Sequence, residues 1–131
     1  MALLEKLNFK SGEQNKDYED VPVPEIEEGA EIRITKVRVK AQLRIGQLQK
    51  KILEMKGLDD DTVMLYKNTA TLMCVMVGDD GMPLVAGDDI ESTFDFLDRK
   101  GVFFKLVQAN NRVNAVKFVE GENLEDSKKN S

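Results

Sequence analysis

The sequence predicts a mostly α fold: a small helical domain of four to five helices, with a short N-terminal extended or β segment leading into it. Three features point there. Ile45, Leu48, Ile52 and Met55 recur at steps of three, four and three, which puts them on one helical face. Gly57 and Asp59-Asp60-Asp61 then supply a helix stop and a new N-terminus. The stretch from Val21 to Thr35, with two prolines and then strict alternation, reads as extended chain.

Taken in order, residues 1–19 read as a flexible N-terminal arm, in which Leu3, Leu4 and Leu7 precede a polar, aperiodic stretch. The body spans residues 20–119. In Val21-Pro22-Val23-Pro24-Glu25-Ile26 each proline disfavours helix in the residue before it and cannot donate to a ladder, so this run is expected to be extended. Glu31-Ile32-Arg33-Ile34-Thr35 suits a strand able to pair with it in a hairpin. The first helix runs from about Val39 to Lys56, with Gln42, Gln47, Gln49, Lys50 and Lys51 covering much of its other side.

The second helix, about Asp61 to Val77, carries one apolar stripe through Val63, Tyr66, Ala70, Met73 and Val77 and another through Leu65, Leu72 and Met76. A helix apolar on two sides lies between neighbours, so this one is expected at the centre of the fold. Asp80-Gly81 leaves open a hairpin between Cys74–Val77 and Met82–Val85, against which Pro83 counts. Gly87-Asp88-Asp89 opens a short helix with Ile90, Phe94 and Leu97 inward, and residues 98–101 break it. The last helix, about Val102 to Asn111, turns Phe103, Leu106 and Val107 to the core and leaves Phe104 off that face. Residues 120–131 hold only Leu124 as a large apolar side chain and read as a charged C-terminal tail.

Composition excludes several classes of function. Twenty-four acids against 19 bases leave a net charge of −5, with no long basic block, which argues against a nucleic-acid or anionic-membrane surface. Arg33, Lys36, Arg38, Lys40 and Arg44 crowd one short stretch and read as the solvated side of an extended-to-helical segment. No apolar run approaches a membrane span. With no histidine and one cysteine, Ser-His, Cys-His and His-metal sites cannot be built, and no enzyme activity, cofactor or metal is expected. Cys74, in an apolar run, is expected to be a buried, inert thiol in a reducing cytosol. The acidic groups Asp59 to Asp61, Asp79-Asp80 and Asp88-Asp89 lack calcium-loop spacing and sit where turns and helix starts need acids.

What remains points to protein binding. Five of the six methionines lie between Met55 and Met82, and methionine repacks readily against different partners. Met64, Met73 and Met76 are expected to fill the core. Phe94, Phe96, Phe103 and Phe104 fall on two short helices that each bury one face, so Phe96 and Phe104 are candidates for an interface. Leu4 and Leu7 in the arm, Val21, Val23 and Ile26 in the extended lead-in, and Phe118 and Val119 before the tail complete the candidate contacts.

The order of these pieces resembles the tail assembly chaperones of long-tailed bacteriophages. The lead-in Val21-Pro22-Val23-Pro24-Glu25, the turn Asp79-Asp80-Gly81-Met82-Pro83-Leu84, the cap Asp88-Asp89-Ile90 and a closing helix pair with Phe94, Leu97, Phe103 and Leu106 before Lys128-Lys129-Asn130 follow that family's succession. Ile26 stands where an aromatic often follows the lead-in. The resemblance implies a helical chaperone domain that binds the tape-measure protein, keeps it soluble and helps recruit tail-tube protein subunits. It also implies self-association into a ring or spiral, a frameshifted longer form, action in the host cytoplasm and absence from the mature virion. A structural head-tail connector or tail-completion protein, and a β-grasp adaptor built on Glu31–Lys40 and the following helix, are the alternatives.

Overall fold

A computed structural model describes residues 17–114. Strands β1 (Tyr18–Pro22) and β2 (Glu31–Thr35) lead into helices α1 (Val39–Glu54) and α2 (Asp60–Val75). A two-residue strand β3 (Met76–Val77) and helices α3 (Ile90–Arg99) and α4 (Phe103–Asn114) follow. The fold is mostly α, with one antiparallel sheet in the order β1-β2-β3.

The expected hairpin forms, but its bounds differ. β1 starts at Tyr18, inside what the sequence suggested was arm, and pairs from Tyr18↔Thr35 to Pro22↔Glu31. Pro22 closes an edge strand, where a missing donor does no harm. Extension stops there. Pro24 to Ile26 turn instead, with the Val23 and Ile26 amides donating to Ala30 and Val23 carbonyls at 2.9 and 3.0 Å and Gly29 at φ 79°. Proline's fixed φ suits a turn as well as a strand, so it could not tell the two apart.

α1 buries Ile45, Leu48 and Ile52, as the spacing required. α2 begins where the Asp59 carboxylate accepts the Thr62 amide at 2.8 Å, and its two stripes feed two separate parts of the core. Leu72, with Leu65 and the following Val75 and Met76, packs with Val21, Val23, Ile32 and Ile34 of the hairpin and with Leu106, Ala109 and Val113 of α4. Ala70, Met73 and Cys74, with Val63 and Tyr66, pack against α1 and Ile90. The central helix is thus the wall between two hydrophobic clusters. Its one fully buried polar side chain, Thr69, donates to the Leu65 carbonyl at 2.8 Å, which removes the cost of burying a lone hydroxyl.

Helix and hairpin readings of residues 74–85 each hold in part. α2 runs to Val75, then the chain extends so that Met76 and Val77 pair with Ile34 and Arg33 of β2. It returns through Gly81 at φ 80°, with Gly78 donating to Met82, Leu84 to Met76, and a single bridge at Val77↔Pro83. The β-branched, apolar Val75-Met76-Val77 run favours extension, and Pro83 keeps the returning arm to one bridge.

Asp89 caps α3 by accepting the Ser92 amide at 3.0 Å, and Gly101 at φ 74° turns the chain into α4. α4 runs to Asn114, beyond the expected Asn111, because Ala109 and Val113 continue its buried face. The Asn114 side chain also accepts from the Val37 amide at 2.8 Å and donates to the Thr35 carbonyl at 2.9 Å, locking the helix end to the β2–α1 junction. Lys105 with Glu25 and Arg112 with Glu19 tie α4 to the hairpin at the surface. The β-grasp arrangement does not form. β2 ends at Thr35, helix takes over at Val39, and the described sheet has only three strands.

Candidate protein-binding surfaces

Cys74 is buried, and burial pushes its thiol up despite the opposing pull of Arg44, so it is a poor nucleophile. Among the described residues no group of His, Cys, Asp and Glu could hold a metal ion, and no helix is long and apolar enough to cross a membrane. The acidic clusters serve the backbone. Hydrogen bonds from Thr62 and Ser92 hold the Asp59 and Asp89 carboxyls below their usual range, and Asp80 accepts the Met82 amide at 2.9 Å.

One outward apolar feature lies on α1. Val39, Leu43 and Leu53 are 76%, 64% and 73% exposed, and at 100° per residue they share one side with Gly46 and Lys50, roughly opposite Ile45, Leu48 and Ile52. A Cβ placed on Gly46 would meet nothing within 4 Å, so this face is open along its length. α2 covers the opposite side of α1, and no described residue covers this one.

A second surface grows from an aromatic row rooted in the core. Tyr66 meets Phe94 edge-on at 5.9 Å, Phe94 meets Phe103 at 5.1 Å, and Phe103 meets Phe104 at 5.3 Å. Phe103 is buried while Phe104 is 68% exposed. Phe96 also faces outward, with the Lys100 ammonium 5.9 Å from its ring centre. A rigid backing of this kind lowers the entropic cost of using an exposed ring as an anchor.

The other expected contacts fall elsewhere. Val21 and Val23 are buried in the sheet-side core, because alternation along the hairpin turns them towards α4, and they offer nothing to a partner. Ile26 is half-buried against the same cluster. Leu4, Leu7, Phe118 and Val119 lie outside the described residues. Met73 and Met76 fill the core as expected, but Met64 points outward, as do Met82 and Leu84. Sequence reasoning missed Leu43 and Leu53, although their helical phase was available.

A cleft of 540 Å³ opens at the β2–α1 junction. Arg33, Lys36, Arg38, Lys40 and Arg44 line it over an apolar floor that includes Ala41, Val77 and Pro83. These cations are not all solvated, as their crowding suggested. Arg33 pairs with Asp20 at 2.8 Å and stacks 4.1 Å over Tyr18. Arg44 reaches inward, donating to the carbonyls of Met73 at 3.0 Å, Val85 at 2.6 Å and Gly87 at 2.8 Å. α2 ends at Val75 with no basic residue in its last turn, so α1 supplies the cation that its last carbonyls attract.

The described residues form a four-helix domain on a three-stranded antiparallel sheet, with an outward aliphatic stripe on α1. Its fold is that of a phage tail assembly chaperone. The structure of the tail assembly chaperone of bacteriophage HK97 superposes with a TM-score of 0.54 at 19% identity, over 87% of this chain and all of the other. Neither a protein-family model nor a curated protein sequence matches the chain.

Proposed function

We propose that this protein is a phage tail assembly chaperone that binds the tape-measure protein and keeps it soluble while tail-tube subunits are recruited. The observation that carries this reading is the fold shared with the HK97 tail assembly chaperone along the whole of that chain. The outward face of α1 supports it, because Val39, Leu43 and Leu53 present the spacing that an amphipathic partner helix packs against. Holding a long helical client needs adaptable apolar contacts and a charged exterior, and no catalytic group. Self-association into a ring or spiral, a frameshifted longer form, action in the host cytoplasm and absence from the mature virion belong to the same proposal.

Co-expression tests it. The chain is expected to raise the soluble yield of its tape-measure protein, and Leu43→Asp with Leu53→Asp is expected to abolish that gain while the far-ultraviolet circular dichroism stays unchanged. No gain with the wild-type chain would overturn the chaperone role. Recovery of the chain in purified particles would instead assign it to the virion.

A further inference from the structure

We propose that the acidic segment Glu120–Asp126 docks into the cationic cleft of its own chain. α4 ends at Asn114, whose side chain bonds Thr35 at 2.9 Å and Val37 at 2.8 Å, on either side of Lys36. Thr35 and Lys36 themselves line the cleft. The polypeptide therefore leaves α4 beside the backbone that carries two of the cleft's lining residues. Glu120 follows six residues later, which at about 3.4 Å per extended residue is a reach of roughly 20 Å. So short a tether holds the segment at an effective concentration in the millimolar range, where weak contacts suffice.

The charges are complementary. Glu120, Glu122, Glu125 and Asp126 surround Leu124 with no base among them. On the cleft side, Lys36, Arg38 and Lys40 have no acidic side-chain partner among the described residues, whereas Arg33 and Arg44 are already engaged. Asp17 lines the cleft and Asp79 lies near Arg33, so the acids present are fewer than the cations. The apolar floor suits Leu124. Residues 1–16 also lead to the cleft, through Asp17, but they carry Lys6, Lys10 and Lys16 against Glu5 and Glu13 and so bring the wrong sign. Docking needs only the cleft and the tail, and it stands whichever partner α1 takes.

The test uses the full chain, isotope-labelled, beside the variant E120Q/E122Q/E125Q/D126N. At about 50 mM salt the amide resonances of Lys36, Arg38, Lys40 and Ala41 are expected to differ between the two proteins. The difference is expected to vanish at about 500 mM, where the screening length has fallen to about 4 Å, and to be independent of protein concentration. In K36E/K40E, the Leu124 methyl resonances are expected to move to the position they take in high salt, with the Leu106 amide in place as a check on folding. Three outcomes would overturn the proposal: identical cleft resonances at low salt, Leu124 methyls unmoved by K36E/K40E, or a difference that fades on dilution, which would assign the cleft to another copy's tail.

Discussion

Arg44→Ala is the substitution whose cost the structure specifies most closely. Its guanidinium satisfies three carbonyls from two segments, Met73 at the end of α2 and Val85 and Gly87 in the following loop. A hydrogen bond with one charged member contributes about 1.5–3 kcal/mol. The Gly87 bond is exposed, so water replaces it at little cost. Counting only the two part-buried bonds at the low end of that range gives a loss of about 3 kcal/mol on truncation. For a domain of this size that corresponds to a fall in Tm of roughly 12–24 °C. Arg44→Lys keeps the charge but not the planar fork, retains about one bond and should lose about half as much. Urea unfolding followed at 222 nm measures both. Amide exchange locates the damage: Gly78 and Leu84, which donate across the turn that Arg44 pins, should lose protection before α1 does. A loss under about 1 kcal/mol for Arg44→Ala, or equal stability for Arg44→Lys, would refute the clamp.

Two further outcomes follow from burial and charge. Phe103→Ala should cost about 3–5 kcal/mol, whereas Phe104→Ala, one residue on and exposed, should stay within about 1 kcal/mol and reduce binding instead; equal losses of stability would contradict the burial pattern. Asp59, Asp89 and Glu25 are held below the ordinary carboxylate range, by Thr62, by Ser92 and by Lys105 respectively. The unfolded chain therefore takes up protons before the folded one does. The stability these groups contribute is fully present above their ordinary values of 3.8 for aspartate and 4.5 for glutamate, and it is lost as pH falls through the lower folded-state values. The variant D59N/D89N/E25Q should show a shallower decline of urea midpoint below about pH 4.5, and an unchanged acid limb would count against these pairings.

Periodicity made the helices legible because each buries a face against a neighbour, and burial follows phase. The two stripes of α2 foretold its place between two clusters before any neighbour was known. Proline was less informative: Pro22 ends a strand and Pro24 enters a turn, two settings its ring satisfies equally. Arg44 was illegible for another reason. Its partners are carbonyls 29, 41 and 43 residues away, and a backbone acceptor leaves no mark on residue type. In the primary sequence such a clamp looks like any surface cation.

Val21 and Leu43 show the same rule misapplied in opposite directions. A proline-rich lead-in suggests that Val21 is available, yet its alternation with Val23 marks an inward face once the strand is paired. Ile45, Leu48 and Ile52 suffice to explain why α1 is a helix, so Leu43 and Leu53 add nothing to that inference. A single buried face accounts for those three and leaves Val39, Leu43 and Leu53 unaccounted for, roughly opposite. Nothing in the described domain covers these three side chains, which are the most exposed aliphatics in it. Held on the far side of a helix whose inner face is fixed by Ile52 at 1% exposure, they cannot rotate inward without emptying the α1–α2 core. Leu43→Asp and Leu53→Asp should therefore leave stability within about 0.5 kcal/mol, and any large loss would mean that the face is already covered within the chain.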